Sequence, residues 1–174
     1  MAHLEFCSNC GEKNIFSNRD GRDRYHCPDC GTIHYENPKP TATLICPKGD
    51  DILLVKRAFE PAKGYWSLPG GFVELNETIE GAAQRELKEE TMLDGTVTDI
   101  LGHCSHFNTV FGDVLLVGLV MEIKDYSQII PGDDAMDAQF FPLKSLPQLA
   151  FYCHEEIVRK YLEWVQKKSA KGHS

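Results

Sequence analysis

A glycine-rich turn running straight into a helix crowded with carboxylates dominates this chain. Leu68 to Leu93 read LPGGFVELNETIEGAAQRELKEETML. Residues three and four apart share a helix face, so Glu86, Glu89 and Glu90 project as one cluster from adjacent turns. Three unpaired carboxylates that close repel one another and raise one another's pKa values. A hard divalent cation, which prefers oxygen ligands, would supply the missing positive charge. Thr78 is placed to cap this helix, with Glu80 near the positive end of its dipole. Ile79, Ala83 and Leu87, four residues apart, form an apolar stripe that packs on a sheet while the acidic cluster faces another way. A solvated acidic face would account for the charges alone. It leaves the Gly70-Gly71 turn and the lone Arg85 without a role.

Gly71, Glu77, Arg85, Glu86, Leu87, Lys88, Glu89, Glu90 and Thr91, spaced as they are here, resemble the signature box of the Nudix hydrolases. The resemblance implies an α/β fold, the Nudix α/β/α sandwich with a mixed sheet. It also implies hydrolysis of a nucleoside diphosphate linked to another moiety, with release of a nucleoside monophosphate. Mg²⁺ or Mn²⁺ would be held by Glu86 and Glu90, with the Gly71 carbonyl as a further ligand. Glu89 would stand beside them as ligand or as the base, and an Arg85–Glu77 ion pair would fix the loop against the helix. One position departs from the family pattern: Met92 stands where glycine is usual. A left-handed backbone there would cost methionine roughly 1 to 2 kcal/mol, so the sequence predicts a reshaped helix end running on toward Asp94 and Gly95.

Cys7, Cys10, Cys27 and Cys30 form two Cys-x-x-Cys-Gly knuckles separated by sixteen residues. This spacing fits a four-cysteine zinc site, and Asp20-Gly21 between the knuckles signals a hairpin turn. Four thiolates leave zinc no open position, so the reading is a structural Zn²⁺ in a small zinc ribbon. A redox role for the two cysteine pairs explains less, because it ignores the matching glycines. HYENPKP, at 34–40, reads as an extended linker, placing a ribbon at 1–36, the main domain at 37–168 and a mobile tail at 169–174. Ribbon, linker and box together resemble the zinc-ribbon branch of the Nudix superfamily, whose members act on dinucleotide-type diphosphates such as NADH, FAD or ADP-ribose. A homodimer is implied by that resemblance alone. The proline-and-aromatic motif that follows the box in NADH-specific relatives has no clear copy here, which favours FAD or ADP-ribose.

The net charge of -8 and the lack of a basic run speak against bulk nucleic-acid binding. Arg19, Arg22 and Arg24 are offset by Asp20 and Asp23. No apolar run approaches the ~20 residues that span a bilayer, and MAHLEFCSNC does not read as a signal peptide; the expectation is a soluble cytoplasmic protein. Thr41–Cys46 and Ile52–Lys56 read as a strand pair around a turn, and Val97–Phe107 and Asp113–Ile123 as two longer strands, the second central. Lys56 and Arg57 are phosphate contacts or solvated charges. Trp66 reads as core, and His103 and His106 as structural. Asp133, Asp134 and Asp137 read as a solvated turn, or as an extra metal contact or base. His154–Gln166 is an amphipathic helix, followed by an aperiodic tail. Two other functions stand beside the enzyme: a nucleotide-sensing regulator that keeps the fold without turnover, and a ribbon that serves as an adaptor.

Overall fold

A computed structural model describes residues 4–132 and 134–171. Asp133 and the last three residues of the expected tail lie outside the described residues. Met1–Asn37 and Pro38–Ser174 group as two compact units.

In the first unit, β1 (Ile15–Arg19), β2 (Arg22–His26) and β3 (Ile33–His34) form an antiparallel sheet in that order. The β1–β2 turn is made by Asp20 and Gly21, both at positive φ. Consecutive positive φ values match the right-handed twist of the strands it joins. Among the described residues of this unit only Cys7, Asn14, His26 and Cys27 are buried. The ribbon therefore has almost no apolar core of its own.

The second unit contains two sheets. β4 (Lys39–Ile45) lies between β8 (Gly70–Phe72) and β10 (Gly112–Ile123), with β9 (Gly95–Thr109) beyond β10. β4 and β10 run parallel and the other pairs antiparallel, so the sheet is mixed. The second sheet joins β11 (Ala135–Pro142), β6 (Asp51–Arg57) and β5 (Pro47–Lys48), with β7 (Trp66–Ser67) against β6. The expected strand pair is thus corrected: β4 and β6 belong to different sheets. Both edges of β4 are occupied, by β8 and β10, and the hairpin onto β6 is only Pro47–Lys48 against Asp51–Ile52. β10, apolar from Val114 to Met121 and flanked on both sides, is central as expected.

Helix α1 (Ile79–Thr91) and helix α2 (Tyr152–Lys171) each bury one stripe. Ala82, Ala83 and Leu87 of α1 pack with Leu44, Leu53, Leu119 and Met121. Ile157, Val158 and Tyr161 of α2 pack with Ile45, Ile52, Leu54 and Val120. Alternate residues of β4 and β6 serve the two cores, as the period-2 geometry of strands requires, so the sheets are sandwiched between the helices. α2 continues to Lys171, past the predicted end at Gln166, with Lys168 bonded to Asp99 at 3.0 Å. Among the described residues no helix is long and apolar enough to cross a membrane.

Candidate active site

Thr78 caps α1, its hydroxyl accepting the Gly81 N–H at 3.0 Å, and the stripe of Ala83 and Leu87 pins the helix to the sheet. The far end differs from expectation. The helix stops at Thr91, and Met92 itself takes the left-handed conformation, φ 60°, with its N–H donating to the Lys88 carbonyl at 2.9 Å. Three contacts hold that geometry: the Thr91 hydroxyl on Leu87 O, the Lys88 ammonium on Met92 O at 3.1 Å, and the burial of Leu93. The loop before β11 closes the same end. Ile130 N–H donates to Thr91 O and Gly132 N–H to Glu90 O, both at 3.0 Å. A Cβ on Gly132 would lie 1.7 Å from the Glu89 carbonyl oxygen, so only glycine permits this approach.

Arg85 organises the acids. Its Nε and Nη2 donate to the two oxygens of Glu77, each at 2.9 Å, and Nη2 also donates to the Phe72 carbonyl at 2.9 Å. Nη1 donates to Glu86 at 2.7 Å and to Glu89 at 3.0 Å. The planar fork suits such multidentate binding. Arg85 holds the Glu77 carboxyl down to about 2. Glu86 lies against Gly71, where a Cβ would meet its carboxylate at 2.4 Å. Glu90 accepts the Gly70 N–H at 2.9 Å. Burial raises the Glu86 carboxyl, although Arg85 opposes this, and pushes Glu90 up to about 8. Arg85 is the one cation among the described residues that bonds to this cluster, and it cannot neutralise four carboxylates. An oxygen-rich, under-neutralised cluster of this kind fits a hard divalent cation.

Gly70 and Gly71 also line a cavity of about 490 Å³. Its lining includes Arg57, read from the sequence as a phosphate contact or a solvated charge, His106, read as structural, and His154, which had no place in the expected site. Arg57 donates to Pro61 O at 2.7 Å and lies over the Phe151 ring. His154 Nδ1 accepts the Leu68 N–H at 3.0 Å, and burial pushes its imidazole down to about 3. Lys56 sits over Trp66, itself packed edge-on against Phe141, and does not line the cavity. The charge of Asp134 is felt at Arg57 and Glu90. Asp137 is engaged locally by Ala138 N–H and the Gln139 amide.

In the ribbon, the sulfurs of Cys7, Cys10, Cys27 and Cys30 all lie within 4.8 Å of one another. Cys7–Cys30 and Cys10–Cys27 are 3.6 and 3.5 Å apart, close to the ~3.8 Å edge of a tetrahedron with Zn–S bonds of ~2.3 Å. Gly11 and Gly31 close the two knuckles alike, donating to Cys7 O and Cys27 O at 2.9 and 3.0 Å. The Thr32 hydroxyl and N–H and the Asn9 amide pull the Cys30 thiol down to about 5. The donor set fits zinc.

The sequence profile of the NUDIX domain matches residues 38–165, and that of the Nudix N-terminal zinc ribbon matches residues 5–36. The chain belongs to the Nudix hydrolase family. Among its relatives, the ADP-ribose pyrophosphatase of Methanocaldococcus jannaschii is 41% identical over 75% of this chain and 76% of its own. The NAD-capped RNA hydrolase NudC of Pseudomonas aeruginosa is 32% identical over 84% of this chain, which spans about half of that enzyme, 51%. A Nudix hydrolase crystal structure from Nitrosomonas europaea superposes with a TM-score of 0.79 at 30% identity, covering 92% of this chain and 91% of that one.

Proposed function

We propose that the chain is a metal-dependent pyrophosphatase that cleaves the diphosphate of a nucleoside diphosphate linked to another moiety, releasing a nucleoside monophosphate. ADP-ribose is the first candidate substrate, with FAD and NADH-like dinucleotides next. The observation that carries this reading is the convergence of Glu86 and Glu90 on the bare backbone of Gly71 and Gly70, under-neutralised by Arg85 and backed by a cavity. The similarity to an ADP-ribose pyrophosphatase over three quarters of both chains supports the substrate class.

In this reading Glu86 and Glu90 hold Mg²⁺ or Mn²⁺, with the Gly71 carbonyl as a further ligand. A bound divalent cation neutralises the diphosphate oxygens and activates water. Arg85, anchored by Glu77, holds Glu86 and Glu89 at fixed distance, so the site is ordered before substrate arrives. Glu89, bonded to Arg85 through one oxygen and the most exposed of the cluster, takes the proton as water attacks phosphorus and the anhydride P–O bond breaks. The four thiolates of the ribbon hold Zn²⁺ structurally. Asp20 and Asp23 offset all but one of Arg19, Arg22 and Arg24, and the chain as a whole carries a net charge of -8, which favours a free small molecule over RNA.

Chromatographic assay of AMP release from ADP-ribose, FAD and NADH with Mg²⁺ tests the proposal. Cleavage of at least one, falling ~100-fold or more in Glu90→Gln, is the expected result. Ligand-induced thermal stabilisation without any cleavage would replace the enzyme with a nucleotide sensor.

A further inference from the structure

Thr41 stands on β4 directly between Phe72 of β8 and Leu116 of β10. Residues opposite one another across a sheet point to the same face, and all three line the cavity beside Gly70 and Gly71. Thr41 is 9% exposed, and its hydroxyl has no hydrogen-bond partner among the described residues. A buried hydroxyl left unpaired destabilises a fold. Valine, of the same shape, would fill the position without that cost.

Phe111 meets Phe72 edge-on, with ring centroids 5.4 Å apart. It stands on the tip of the β9–β10 hairpin, which its own bonds hold: Phe111 N–H to the Thr109 hydroxyl and Asn108 N–H to the Asp113 carboxylate, both at 3.0 Å. Phe111 and Val110 nevertheless remain 46% and 77% exposed beside the cavity. Apolar surface left in water on an anchored turn is suited to covering a flat apolar group. Phe72 also passes its carbonyl to Arg85, so the cavity floor is tied to the acidic cluster.

We propose that this cavity takes the planar nitrogen heterocycle of the substrate against Phe111 and Phe72. The Thr41 hydroxyl, turned inward about χ1, hydrogen-bonds the polar edge of that ring and so acts as a specificity-determining residue. The inference rests on the pyrophosphatase reading, which places the diphosphate at Gly70 and Gly71. Ordering the site for a ring explains why an isosteric apolar residue does not occupy position 41.

The test uses the full chain and two probes, AMP and ribose 5-phosphate, followed by thermal shift. ADP-ribose kinetics are measured alongside for Thr41→Val, Thr41→Ser and Phe111→Ala. AMP is expected to bind at least ~10-fold more tightly than ribose 5-phosphate. Thr41→Val is expected to raise the Tm of the free protein by about 2–4 °C. The same variant raises KM about tenfold with kcat nearly unchanged, Thr41→Ser restores KM, and Phe111→Ala raises KM. A free-protein Tm that falls in Thr41→Val, together with an unchanged KM, overturns the proposal. Equal affinity for AMP and ribose 5-phosphate overturns it as well, whether or not ADP-ribose is cleaved. Absence of cleavage by wild type with selective AMP binding instead removes the pyrophosphatase reading and leaves the ring site standing.

Discussion

Arg85 binds three carboxylates and a backbone carbonyl at once, so one guanidinium organises Glu77, Glu86 and Glu89. The Arg85–Glu77 pair was legible through the family resemblance, whereas the bond from Arg85 to its neighbour Glu86 was not, because adjacent helix residues do not share a face. His154 was not readable. Its bond to Leu68 joins residues 86 apart in sequence, and only the packing of α2 brings them together. That bond makes a pH prediction. The imidazole is held near 3 in the fold against 6.5 unperturbed, so its contribution to stability is complete above pH 6.5 and is lost as pH falls toward 3. The loss is up to about 1.4 kcal/mol per pH unit. Glu90, raised to about 8 from 4.5, acts in the opposite sense between those values, since the folded state binds the extra proton. Urea unfolding of wild type and His154→Gln at pH 7 and pH 5, without added metal, separates the two. The variant should lose less stability on acidification; equal losses would show that His154 does not titrate as described.

At the scale of elements, the helices and long strands followed from periodicity, whereas the sheet partners did not. β4 and β6 read as a pair because a turn separates them. Apart from the short β5 hairpin onto β6, their partners come from later segments, β8 and β10 for β4 and β7 and β11 for β6, and local pattern is blind to that competition. Met92 shows a different limit. Its steric cost was legible, but the closing bonds from Lys88, Thr91 and the loop at Ile130 and Gly132 were not, and together they hold a left-handed methionine. The strain remains in the folded chain. Met92→Gly should therefore raise unfolding stability by about 1 kcal/mol without altering the helix end. An unchanged or lower stability in chemical denaturation would show that the methionine is unstrained or that its side chain packs usefully.

For the whole molecule, the two units differ in what holds them. Residues 38–171 bury three apolar clusters; among the described residues of the ribbon, two cysteines, a histidine and an asparagine are buried. We infer that metal binding supplies most of the ribbon's folding free energy. Elemental analysis should find about one zinc per chain. Cys27→Ser should unfold the ribbon, seen as protease sensitivity confined to the first 37 residues, while the rest stays folded. A zinc-free ribbon that resists protease would contradict this.

The central claim is that Glu86 and Glu90 hold a divalent cation, and Mn²⁺ titration followed by electron paramagnetic resonance tests it most directly. Wild type should bind Mn²⁺ at a site that Glu86→Gln/Glu90→Gln weakens at least ~10-fold, with the zinc content of both proteins unchanged. Equal Mn²⁺ affinity in the two proteins would contradict the account.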